Sequence, residues 1–151
     1  MFDLCPRAIV LSLFDYKDYE KAHYYIKKGI ELGNAPSYRY LAEAYEKGLG
    51  VKKSMKEAFN YYKEAVLKGD TFSTTNYANL CLEGYGKSED IDRAIQLLLP
   101  RNTYRAYSSI LVELYIKQGS YRLAYSLVNT IPNKEEKEKL TKILKKKLKI
   151  K

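Results

Sequence analysis

Apolar residues recur along this chain at helical spacing, and glycines interrupt them at regular points. From Tyr40 to Gly69 the stretch YLAEAYEKGLGVKKSMKEAFNYYKEAVLKG holds two stripes, Leu41/Ala42/Tyr45 and Ala58/Tyr61/Tyr62/Ala65. Gly48-Leu49-Gly50-Val51 separates them and Gly69 closes the second. This pattern predicts a helical hairpin. A hairpin of this size cannot bury its apolar face alone, so the same marks should recur before and after it. A shift of 36 aligns Ala22, Ala58 and Ala94, Gly33 with Gly69, Tyr25 with Tyr61, and Gly48 and Gly50 with Gly84 and Gly86.

In chain order, Pro6 and the run Ile9/Val10/Leu13/Phe14 predict a first helix over about 6–16, with Leu11 making its outer face apolar as well. Asp18 as N-cap and Gly33 as terminator bound a second helix, buried along Ala22, Tyr25, Ile26 and Ile30. Pro36 or Ser37 starts the third. Ser54 with Glu57 forms a capping box for the fourth, the hydroxyl and the carboxylate each satisfying one orphan N–H. The next pair is expected over 72–82 and 90–99, with Pro100 ending it, and a fourth pair over 103–117 and 120–130. Asn133 with Glu136 is a second capping box. It opens a helix over about 134–149 whose apolar stripe is Leu140, Ile143, Leu144 and Leu148. Leu13 to Ala22 and Tyr115 to Ala124 are nine apart, whereas Tyr45 to Ala58 is thirteen, so the inner turns are longer than the outer ones.

The inner units, L-A-x-x-Y-x-x-G-x-G-V followed by A-x-x-Y-Y-x-x-A-x-x-x-G, resemble the Sel-like repeat, a 36-residue relative of the tetratricopeptide repeat. Leu41, Ala42, Tyr45, Gly48, Gly50, Val51, Ala58, Tyr61, Tyr62, Ala65 and Gly69 occupy the family's positions. The unit from Phe72 departs from the pattern, with Cys81 for the tyrosine, Lys87 for the valine and Leu97-Leu98 for the tyrosine pair. The outer pairs have tetratricopeptide spacing, clearest in Gly119-x-Tyr121-x-x-Ala124. The resemblance implies an all-α fold: a right-handed α/α solenoid of antiparallel helix pairs over 1–133 (about 5–34, 36–70, 71–101 and 103–131). A basic amphipathic capping helix over 134–151 completes the expected organisation. It also implies a non-enzymatic protein-interaction module, with the first helix of each pair lining a concave surface for a protein or peptide. The groove positions then fall on Arg7, on Arg39, Glu43 and Glu46, on Thr75, Asn79 and Leu82, and on Ser109, Glu113 and Ile116. An adaptor and an inhibitor or immunity-type binder both fit.

Composition narrows the remaining classes. With 46% hydrophobic and 30% charged residues, the chain is a folded protein and not a disordered one. No basic start with an unbroken apolar run opens it, so neither a signal peptide nor a transmembrane span is expected. Cys5 and Cys81 form no pairing pattern and suit buried thiols in a reducing compartment, hence a cytoplasmic location. The net charge of +9 is uneven: +6 falls on residues 134–151, leaving +3 for the rest. The tail lysines Lys142, Lys145, Lys146 and Lys149 are therefore a second candidate surface, for RNA, an acidic protein or an anionic membrane. RNA binding through surface tyrosines (Tyr38, Tyr85, Tyr104 and Tyr107) and this tail is the alternative function.

Catalytic and metal chemistry has little raw material. His23 is the sole histidine and stands where Phe59 falls one repeat later, which predicts a packing or surface role. Gly48 to Ser54 fails the spacing of a phosphate loop. Glu43 and Glu46 lie at i, i+3, as on any solvated helix face. No cofactor and no metal are expected.

Overall fold

A computed structural model describes residues 7–151, apart from the side chains of Arg7, Ala8 and Tyr104. Cys5, Pro6 and the Arg7 side chain, given roles above, lie outside the described residues, as does the Tyr104 ring. Every element among the described residues is helical: α1 (Arg7–Asp15), α2 (Tyr19–Glu31), α3 (Ala35–Lys47), α4 (Met55–Leu67), α5 (Thr74–Leu82), α6 (Ser88–Leu98), α7 (Ser108–Gln118), α8 (Tyr121–Val128) and α9 (Lys134–Leu148), with 3₁₀ turns at Thr71–Ser73 and Leu99–Tyr104. The fold is the expected all-α repeat of helix pairs. The chain forms two compact units, up to Tyr77 and from Ala78 onward.

In the first unit each helix packs on the next in the chain, α1 on α2, α2 on α3 and α3 on α4. The core joins Val10 and Phe14 of α1, Ala22 and Ile26 of α2, and Tyr40 and Ala44 of α3. Ala22, Ala42 and Ala58 are all fully buried, at positions where a larger side chain would push neighbouring helices apart. α2 and α4 end alike. Gly33 and Asn34 donate to the Ile30 and Gly29 carbonyls, and Gly69 and Asp70, 36 residues on, donate to those of Val66 and Ala65. Ile9, expected inside, is exposed, because Val10, Leu13 and Phe14 at i, i+3, i+4 already define the buried stripe.

The long turn between α3 and α4 is folded onto α2. Gly50 has a φ of +70°, and a Cβ there would lie 2.6 Å from the Tyr19 Cβ. His23 Nε2 hydrogen-bonds the Leu49 carbonyl at 2.8 Å, and its ring stands edge-on to Phe14. The single histidine is thus committed to holding this turn. Ser54 caps α4 by accepting from the Glu57 N–H, but the Ser54 N–H goes to the Tyr45 carbonyl, so this contact replaces the Glu57 half of the expected capping box.

In the second unit α6 packs on α7, α7 on α8, and α9 on both α7 and α8. Its core includes Ala94, Leu98, Leu111, Leu114, Ala124, Val128 and, from α9, Leu140 and Leu144. Two boundaries differ from expectation. α6 begins at Ser88, and Asp90 is its third residue, buried with its carboxylate accepting from the Lys87 N–H at 2.9 Å. α7 begins at Ser108 instead of Thr103. Pro100 is the second residue of the 3₁₀ turn, Arg105 takes a left-handed φ of 61°, and Asn102 Oδ1 captures the Tyr107 N–H at 2.9 Å, so α7 does not begin until Ser108.

Candidate functional site

Three of the expected groove positions converge. Leu82 at the end of α5 and Glu113 and Ile116 of α7 line one cleft of about 410 Å³, whose opposite wall is α9, with Glu136, Lys139, Leu140 and Ile143. Leu82, Ile116, Leu140 and Ile143 make the cleft apolar, and Glu113 and Glu136 place two carboxylates in it. Sequence reasoning passed over the α9 wall. It read Glu136 as a capping residue, and half of that reading holds: Asn133 Oδ1 accepts the Glu136 N–H at 2.9 Å. The Glu136 carboxylate instead accepts from the hydroxyl of Ser109, another expected groove residue, at 2.9 Å. The signal available was the apolar stripe Leu140, Ile143 and Leu144, of which Leu140 and Leu144 are buried while Ile143, at the edge of the stripe, stays partly exposed and faces the cleft.

Glu113 is the electrostatically unusual residue of the cleft. Burial pushes its carboxyl above the ordinary range, Glu136 pushes it further, and Lys139 pulls it back. Lys117 is engaged at the rim, its Nζ donating to the Leu82 carbonyl at 2.8 Å. A carboxyl whose pKa rises on folding favours the folded state below its unfolded pKa of about 4.3, and that contribution is lost as pH rises through the higher folded value. Glu113→Gln is therefore expected to raise the thermal midpoint at pH 7 and to leave it near that of the parent chain at pH 3.5. Equal shifts at both pH values would show that the carboxylate carries no such cost.

In the first unit the groove positions of α3 are engaged with their own fold. Arg39 Nε donates to Asp70 Oδ2 at 2.8 Å, with the two side chains only 12% and 3% exposed, and its Nη1 lies 3.9 Å from Glu43. The guanidinium lies over the rings of Tyr40 and Phe72, at 4.9 and 5.4 Å. Glu46 accepts from the Tyr62 hydroxyl at 2.6 Å, which accepts in turn from the Asn76 amide. Burial first, then the bond to Glu46, raises the Tyr62 phenol far above its ordinary value. Thr75 is half-buried and Asn79 exposed. Of the tail lysines, Lys142, Lys146 and Lys149 are exposed and Lys145 is half-buried. Among the tyrosines read as interior, Tyr62 and Tyr115 are buried and Tyr25, Tyr45 and Tyr61 half-buried. The unforeseen pair Tyr40 and Tyr77 is deeper than most of these.

A family model for the Sel1 repeat matches residues 14–34, 35–70 and 72–100, more than half of the chain. The chain belongs to the Sel1 repeat family. Comparison with the curated proteins finds no match. Sel1 repeats are generally protein-interaction modules and non-catalytic scaffolds. The matched segments of this Sel1 repeat chain take in Leu82 but end before α7, so most of the cleft is built by helices beyond them. Among the described residues no helix is long and apolar enough to cross a membrane, and no group of three or more His, Cys, Asp or Glu side chains is placed to hold a metal ion.

Proposed function

We propose that this Sel1 repeat chain is a non-enzymatic binding module, an adaptor or an inhibitor, that holds a segment of another protein in the cleft between α7 and α9. The observation that carries the reading is the meeting of Leu82, Glu113 and Ile116 on one apolar cleft with two carboxylates in it. A peptide needs such a site: apolar surface supplies the affinity and a few fixed polar groups supply the register. On this reading residues 1–133 are the repeat body and residues 134–151 both close its last pair and complete the binding surface. Asn79 is a further expected position in the second unit; in the first unit Thr75 and the α3 positions Arg39, Glu43 and Glu46 are a candidate surface of their own, with the α3 side chains contributing less because they are already paired. The fully buried thiol of Cys81 suits a reducing compartment such as the cytoplasm.

Photocrosslinking tests the reading. Benzoylphenylalanine in place of Ile116 is expected to capture a discrete protein in the native host, and the same probe at exposed Arg122 of α8 is not. Leu82→Glu should abolish the adduct. An adduct of equal yield from both positions, or one indifferent to Leu82→Glu, would overturn the cleft as the binding site.

A further inference from the structure

The α9 helix has a second face that the cleft does not use. From residue 139 to the last residue there are seven lysines and no aspartate or glutamate. Leu140 and Leu144 are buried against α7 and α8, which turns the opposite side of the helix outward. Lys142 and Lys146 lie on that side at i and i+4, about 6 Å apart along the axis at 1.5 Å per residue, with Lys145 beside them. Lys149, which ends the helix with a left-handed φ of 54°, follows and completes a basic file. Of the α9 carboxylates, Glu135 and Glu136 lie in its first turn, and Glu138, one turn before Lys142, lines a hollow with Lys142 and Lys145 at the near end of this face. Among the described residues no α9 lysine takes part in an ion pair. Part of this charge offsets the negative end of the helix, an effect confined to its last turn. Lys142 lies outside that turn, so the dipole does not account for the whole file.

We infer that the Lys142/Lys145/Lys146/Lys149 face of α9 is a docking surface for an acidic polypeptide segment. The inference rests on the reading of the chain as a protein-binding module and adds the charge of what it binds. Charge complementarity selects the sign of the partner, and two further observations select its class. A helix that lies on a bilayer inserts an apolar face, whereas on α9 Leu140 and Leu144 are buried and Ile143 lines the cleft, so the lysine side carries no apolar stripe to insert. Single-stranded RNA needs aromatic rings free to stack on bases, whereas the Tyr121 ring beside α9 is covered by Lys147, with Nζ 5.6 Å from its centroid. An extended acidic segment needs neither, only a row of cations at the spacing a helix provides.

The test is a titration of the full chain with three probes at matched salt: a labelled polyglutamate peptide, polyuridylate of equal length, and vesicles containing phosphatidylserine. Polyglutamate is expected to bind most tightly, and Lys142→Glu/Lys146→Glu/Lys149→Glu to weaken it by about tenfold or more with an unchanged melting temperature. The control reverses three exposed lysines elsewhere, Lys52→Glu/Lys53→Glu/Lys56→Glu, and so changes the net charge equally. It is expected to have a much smaller effect. Equal weakening by both triple variants would overturn the docking surface and leave the module reading intact. Tighter binding of polyuridylate or of the vesicles would overturn the acidic polypeptide as the occupant of this face, while the module reading stands or falls by the crosslink at Ile116.

Discussion

Asp70→Ala is expected to lower the unfolding free energy by about 3–5 kcal/mol, because it leaves the Arg39 guanidinium inside the first unit without its main counter-charge. The carboxylate does two jobs. It accepts from Arg39 Nε at 2.8 Å and from the Ser73 hydroxyl at 2.5 Å, tying α3 to the 3₁₀ turn that leads into α5. A partner left buried and unpaired costs far more than the net worth of the pair itself. Arg39→Met/Asp70→Ala should therefore recover a large part of the loss, since methionine can fill the space between Tyr40 and Phe72 without carrying charge. Urea unfolding of the single and double variants measures both effects. A loss below about 1 kcal/mol for Asp70→Ala would place this pair with exposed ion pairs.

Leu144→Ala is the second large change, expected to cost about 2–5 kcal/mol. Leu144 is fully buried and, with Leu140, fixes α9 to the rest of the second unit. Because α9 forms one wall of the cleft, the same substitution should lower the crosslinking yield at Ile116. Glu113→Gln, which leaves the wall in place, provides the comparison. Full retention of stability by Leu144→Ala would mean that α9 is held by other contacts. Retention of crosslinking despite lost stability would separate the cleft from the helix.

The parts of the fold legible from the sequence are those in which one residue has one physical reason to be there. Ala22, Ala58 and Ala94 stand 36 apart because a larger side chain would force the helices apart, and all three are fully buried. Asp18, Ser54 and Asn133 are legible as caps, since each has a side-chain oxygen one turn ahead of a backbone N–H with no helical partner, whereas Asn34 caps α3 ahead of the Pro36 or Ser37 start that the sequence predicts. The start of α7 was not legible, because Thr103 to Tyr107 has helix-compatible residues and the deciding contact is a local one, Asn102 binding Tyr107 and Ser108 five and six residues ahead, which no helix-start pattern marks. For the site, repeat register located Leu82, Glu113 and Ile116 but could not pair them with α9, whose own register lies outside the repeat. The same register placed Arg39, Glu43 and Glu46 in an open groove. It had no means of showing that Asp70 and Tyr62 would return from later in the chain to engage Arg39 and Glu46.

The aromatic pairs of the first unit have a practical consequence. Tyr45 and Tyr61 stack at 5.5 Å and 11°, and Phe59 and Tyr77 at 5.5 Å and 13°. The chain has no tryptophan, and ten of its sixteen tyrosines precede Ala78. Near-ultraviolet dichroism of this protein is therefore weighted toward its N-terminal half, while the peptide signal below 230 nm reports helices throughout. Superimposable melting curves at the two wavelengths would mean that the halves unfold together, and a gap between them would measure the stability of one half against the other.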